Sequence, residues 1–129
     1  MLNRTLLAIA FAGLSTMPAM AQDDLVAAGE KVFKKCAACH AVGEGAKDRV
    51  GPSLNEIFGR TAGGEEGFKY SPAMTKAGEG GLVWNAETLD AYLADPKSDI
   101  PGNKMAFPGL KKEDDRKAVI AYIESKCCS

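Results

Sequence analysis

Cys36-Ala37-Ala38-Cys39-His40 puts two thiols three positions apart and the chain's single histidine directly after the second. On one helical turn, that spacing lets both sulfurs reach the two vinyl groups along one porphyrin edge, with His40 beneath the iron. C-x-x-C-H is the attachment signal of a c-type haem. A chain that must wrap so large an apolar cofactor cannot be read as an ordinary self-contained core. A dithiol redox pair of the thioredoxin kind would need a βαβ context that the chain lacks. A zinc site from Cys36, Cys39, Cys127 and Cys128 would need two adjacent cysteines to point at one tetrahedral metal, which adjacent residues seldom do.

The N-terminus carries an export address. Arg4 supplies a positive start, residues 6–14 form an apolar run, and Ala19-Met20-Ala21 is a small-x-small cleavage site. Residues 1–21 are therefore expected to be a signal peptide cleaved after Ala21, with 22–129 as one haem domain in the periplasm. The apolar run falls short of the roughly 20 residues that a membrane span requires, and no later segment qualifies. Cleavage removes one of the 16 basic side chains and none of the 17 acidic ones, so the mature chain stays slightly negative. Net charge gives no reason to expect a nucleic-acid partner.

Three segments show helical spacing, and the expected fold is all-α. Residues 24 to about 36 place Val26, Gly29, Val32, Phe33 and Cys36 at three- and four-residue intervals and lead into the haem motif. A second helix starts from an Asn85 cap and runs to 95, with Leu89, Tyr92 and Leu93 on one face and Pro96 as its stop. A third spans about 113–126, with three acids in its first turn and Val119, Ile120, Tyr122 and Ile123 as its stripe. Between them lie glycine- and proline-rich loops over 41–53, 59–67, 77–81 and 100–110.

Because His40 is the only histidine, a second axial ligand must be Met, Lys or nothing. Met74 and Met105 are the candidates, and Met is commonly core filler. Met105 is preferred because its loop, rich in Pro and Gly, can take an extended path over the opposite haem face. A thioether stabilises ferrous iron, and closing both axial positions leaves no site for oxygen or peroxide. That combination suits an electron carrier and not an enzyme. An open-iron peroxidase or gas sensor is the competing reading.

The chain resembles the class I cytochromes c, most closely the bacterial cytochrome c2 and mitochondrial cytochrome c group, over nearly all of residues 22–129. The resemblance rests on the haem motif with Gly51-Pro52-Ser53-Leu54, Phe58-Gly59-Arg60, Gly67-Phe68-Lys69-Tyr70, Trp84, and Asp95-Pro96-Lys97 through Lys104-Met105-Ala106-Phe107. It implies a fold of three main helices plus loops around one haem c, covalent through Cys36 and Cys39 and ligated by His40 and Met105. It further implies that the Pro52 carbonyl accepts from His40 Nδ1, and that Arg60, Tyr70 and Trp84 contact the propionates. Tyr92 and Asn103 would lie near the Met ligand, Phe107 would shield the haem edge, and Gly29, Phe33 and Tyr122 would form the crossing of the first and last helices. Trp84 and Tyr92 also suit a plain aromatic core.

Two departures stand out. Met74 occupies a position that is often asparagine in this group, and the stretch from Met74 to Trp84 is longer than in mitochondrial relatives. Cys127 and Cys128 lie outside the pattern, leaving a free thiol, an intermolecular disulfide and a vicinal disulfide all open.

By the same resemblance, Lys35, Lys47, Arg49, Lys97, Lys104, Lys111 and Lys112 rim the haem edge, while Asp23, Asp24, Glu65, Glu66, Glu87, Asp90 and Asp115 lie elsewhere. The implied role is a monomeric periplasmic shuttle that docks transiently on membrane-bound redox complexes, from a bc1-type donor to an oxidase or photosynthetic reaction centre.

Overall fold

The computed structural model describes Gly13 and residues 20–128. Most of the expected signal peptide therefore lies outside the described residues. Among the described residues five helices follow one another: α1 (Met20–Phe33), α2 (Pro72–Glu79), α3 (Ala86–Ala94), α4 (Pro96–Asp99) and α5 (Glu113–Cys127). Among the described residues, the β pairing consists of the isolated bridge between Thr61 and Val83.

The frame is the crossing of α1 and α5. Their approach depends on Gly29, where an added Cβ would sit 1.9 Å from the Ala118 carbonyl oxygen. Beside it, the Phe33 and Tyr122 rings meet with centroids 5.2 Å apart. The acids Glu113, Asp114 and Asp115 open α5 at the helix end where the macrodipole favours negative charge. From this crossing the core continues through Val119, Ile120 and Ile123 to Leu89, Tyr92, Trp84, Ile57, Ile100 and Leu110.

α1 ends earlier than its periodicity suggests. Tighter bonds, Lys35 N–H to Val32 O at 3.1 Å and Cys36 N–H to Phe33 O at 2.8 Å, replace the α-helical ladder, so Cys36 lies in the turns after the helix. Pro96 ends α3 but also begins α4, because a proline at the first helical position loses no bond that a helix would make. Asp95 caps the new helix by accepting from Ser98 N–H at 3.2 Å.

α2 lies where sequence periodicity gave no helix. Its signal is local: Ser71 accepts the Met74 N–H at 3.1 Å, with Pro72 directly after the cap. Gly78, which reads as a loop residue, instead permits contact, since a Cβ there would stand 1.9 Å from the Ala62 carbonyl oxygen. Arg116 was likewise silent in the sequence. It pairs with Asp90 at 2.8 Å and donates to Leu110 O at 2.9 Å, joining α5 to α3 and to the loop before it.

Candidate haem site

The turns after α1 form one wall of a cleft. His40 N–H returns to the Cys36 carbonyl at 2.9 Å, which places the motif on a single turn. Cys36, Cys39 and His40 all line the cleft, and both thiols are free. Burial pushes the Cys36 thiol up to about 11, so it rests protonated. Cys127 and Cys128 are instead joined to each other by a disulfide, which removes them as thiolate ligands of a shared metal.

His40 Nδ1 donates to the Pro52 carbonyl at 2.8 Å. That bond fixes the tautomer and leaves Nε2 with its lone pair. Burial holds the imidazole below its usual value, against the weaker opposing effect of the Pro52 bond, so the ring stays neutral. Gly51 makes room for it: a Cβ there would lie 2.3 Å from His40 Cε1.

The loop before α5 supplies the second wall, and Asn103 organises it. Its amide donates to Pro96 O at 2.8 Å and Ile100 O at 2.9 Å, while its Oδ1 accepts Met105 N–H at 2.9 Å and Tyr92 O–H at 3.2 Å. The Tyr92 hydroxyl also lies 3.9 Å from Met105 Sδ, giving the thioether its polar neighbour. Burial raises the Tyr92 hydroxyl to about 12, so it remains a donor at neutral pH. Met74 lines the same cleft but is fixed to the first turn of α2, whereas Met105 lies on non-helical chain.

The remaining expected residues divide. Arg60, Tyr70 and Trp84 line the cleft, with the Trp84 and Tyr92 rings 5.1 Å apart, whereas Phe107 lies outside the lining and packs against the core. Arg60 does more than line the cleft: it donates to Ser53 O at 2.9 Å and to Asn55 O, and pairs with Glu65 at 3.0 Å. Glu65 is thus not one of a remote set of acids. The Tyr70 hydroxyl accepts the Glu65 N–H at 3.0 Å, and burial raises its proton affinity.

The expected rim residues Lys35, Lys47, Arg49, Lys97, Lys104, Lys111 and Lys112 are all exposed. Two are held in place near the cleft: Arg49 donates to Ala37 O at 2.8 Å, and Lys104 lies over the Phe68 ring while bonding to Lys69 O. Val50, which the sequence reading passed over, lines the cleft yet is 76% exposed, and so sits at its mouth. Its signal was a bare valine between Arg49 and Gly51 in a polar loop.

The cleft holds about 1130 Å³ of space free of protein atoms, its open mouth included. Its lining is mainly apolar. Two thiols and a neutral imidazole on one wall and a thioether on another form a donor set suited to a covalently attached haem, and the glycine-sized gap beside His40 keeps the ring free to ligate.

Fold and cleft together define an all-α protein of the class I cytochrome c type. Residues 26–126 match the family model described as cytochrome c. The chain is 56% identical to cytochrome c2 of Afifella marina over 102 residues, covering 79% of this chain and 82% of that one. It is also 56% identical to cytochrome c2 of Agrobacterium tumefaciens over 98 residues, covering 76% and 88%. The solved structure of cytochrome c2 from Rhodospirillum centenum superimposes with a TM-score of 0.75 at 42% identity, covering 78% of this chain and 97% of that one. The chain belongs to the cytochrome c family, in class I beside the cytochromes c2. Members of this family carry covalently bound haem c and move electrons to and from redox partners; the protein is an electron carrier and not an enzyme.

Proposed function

We propose that the protein is a periplasmic shuttle that carries single electrons between membrane-bound redox complexes on one haem c, attached through Cys36 and Cys39 and ligated by His40 and Met105. The observation that carries this reading is the pairing of a Pro52-fixed neutral His40 on one wall with an Asn103-fixed Met105 on another. When bound, haem c supplies a one-electron couple whose potential its axial ligands can set over a range of about 0.8 V.

The chain's own residues supply the rest. Pro52 orients the imidazole and increases its donor strength; Asn103 and Tyr92 hold the thioether ready for either oxidation state. Ligation by both His40 and Met105 would exclude exogenous ligands and keep movement small when charge changes. Arg60, Tyr70 and Trp84 serve the propionate side.

Export would follow cleavage after Ala21, trimming two residues from the start of α1 and leaving residues 22–129 as the mature domain. It acts as a monomer. Docking uses the exposed basic residues as a steering field, with Val50 as a desolvated contact at the cleft mouth. Such encounters are small and transient. A bc1-type donor and an oxidase or photosynthetic reaction centre are the partner classes that the family resemblance supports.

The test is the rate of electron transfer between the holoprotein and an acidic-faced redox partner as ionic strength rises. Steering predicts a fall of about tenfold or more between low and physiological salt. A rate insensitive to salt contradicts the proposed docking.

A further inference from the structure

Glu65 stands one layer behind the cleft. It is absent from the lining, while Arg60, with which it pairs at 3.0 Å, is part of it. The Arg60 side chain is only 9% exposed and Glu65 30%, so the guanidinium is shielded from bulk water and the carboxylate is half-buried. Arg60 has little freedom to respond by moving, because its Nη1 and Nη2 also donate to the Ser53 and Asn55 carbonyls. Glu65 is held in turn by its own backbone N–H to Tyr70. The other carboxylate that influences Tyr70, Asp48, is engaged with Ser53 N–H at 2.7 Å.

We propose that Glu65 is a positioning residue that tunes the reduction potential by holding Arg60 in the cleft wall and offsetting its charge. This rests on the reading that the cleft holds haem c. A cation beside the cofactor disfavours the extra positive charge of the ferric state and so raises the potential. A carboxylate bound to that cation cancels part of the effect, and does so most strongly where water cannot screen the pair. Arg60 alone would over-stabilise the ferrous protein; the Arg60–Glu65 pair presents a nearly neutral unit instead. The sequence gives Glu65 and Glu66 the same appearance, and only the geometry separates them.

Redox titration of the holoprotein tests this. Glu65→Gln should shift the equilibrium with a fixed one-electron mediator about threefold toward the reduced protein, on the order of 30 mV at 59 mV per tenfold. Glu65→Asp should restore most of the wild-type potential, and Glu66→Gln, on the exposed neighbour, should leave it nearly unchanged. If Glu65→Gln does not accumulate, Glu65→Ser removes the same charge and must give the same upward shift. An unchanged or lowered potential in a variant with a wild-type visible spectrum overturns the inference while leaving haem binding intact. A wild-type protein without a haem spectrum would instead refute the reading beneath it.

Discussion

At the scale of single residues, the site depends on space and on hydrogen-bond acceptors more than on unusual side chains. The Pro52 acceptor is a backbone carbonyl, so the His40 tautomer is set by where the chain passes. Gly51 matters through what it lacks. Gly51→Ala would press a methyl group to within 2.3–2.8 Å of three His40 ring atoms. The expected outcome is a displaced imidazole, visible as a changed ferric spectrum and a loss of about 1–3 kcal/mol in denaturant unfolding, the range for overpacking a tight site. A variant with unaltered spectrum and stability would show that the ring has slack.

The residues proposed to hold the haem were readable from the sequence because their identity is their signal. Cys36, Cys39 and His40 announce themselves by spacing, and Met105 by being a thioether in a loop of glycine and proline. Arg116 and Glu65 were not readable, because each is an ordinary surface-type charge until the fold brings its partner to it. Val50 was missed for the opposite reason, an unremarkable apolar residue left in the open.

At the scale of elements, the crossing of α1 and α5 and the short helix α4 are the sensitive points. Gly29→Ala places a Cβ against the backbone of α5, where no side chain can swing aside. It should cost about 3 kcal/mol, toward the upper end for overpacking, and reduce yield of holoprotein before it alters the spectrum of what folds. Unchanged thermal stability would contradict the close crossing.

Asp95 shows how a cap responds to pH. Hydrogen bonds from the Ser98 side chain and backbone, with Lys111 nearby, hold its carboxyl below the ordinary 3.8. A depressed carboxylate adds stability above its unfolded value and loses it as pH falls through the folded one. Asp95→Asn keeps a cap acceptor but not the charge. The stability gap between wild type and variant should therefore be constant above about pH 5 and close below the ordinary carboxylate value. A gap that persists in acid would assign the effect to shape rather than charge.

The sequence revealed α1, α3 and α5 because their apolar stripes repeat with the helical period. α2 and α4 escaped because each depends on a cap and a proline, signals that serve equally for turns. The turn after α1 escaped for a related reason: periodicity continues through Cys36 even where the hydrogen-bond pattern tightens.

At the scale of the whole molecule, the chain encloses a cleft that its own side chains leave open, and long irregular segments acquire purpose as its walls. Lys35, Lys47, Arg49, Lys97, Lys104, Lys111 and Lys112 lie on exposed chain although the molecule as a whole carries a net charge of −1. The proposed docking thus depends on where charge sits, which composition cannot show. The central claim is that this cleft makes a closed, His40- and Met105-ligated one-electron centre. Visible spectroscopy during a redox titration tests it most directly, comparing wild type with Met105→Leu and Met74→Leu. The account predicts a reversible one-electron transition in wild type, a ferric Met-to-iron charge-transfer band that Met74→Leu retains, and loss of that band with a lower potential in Met105→Leu. Persistence of the band in Met105→Leu, or its absence from wild type, would contradict the account.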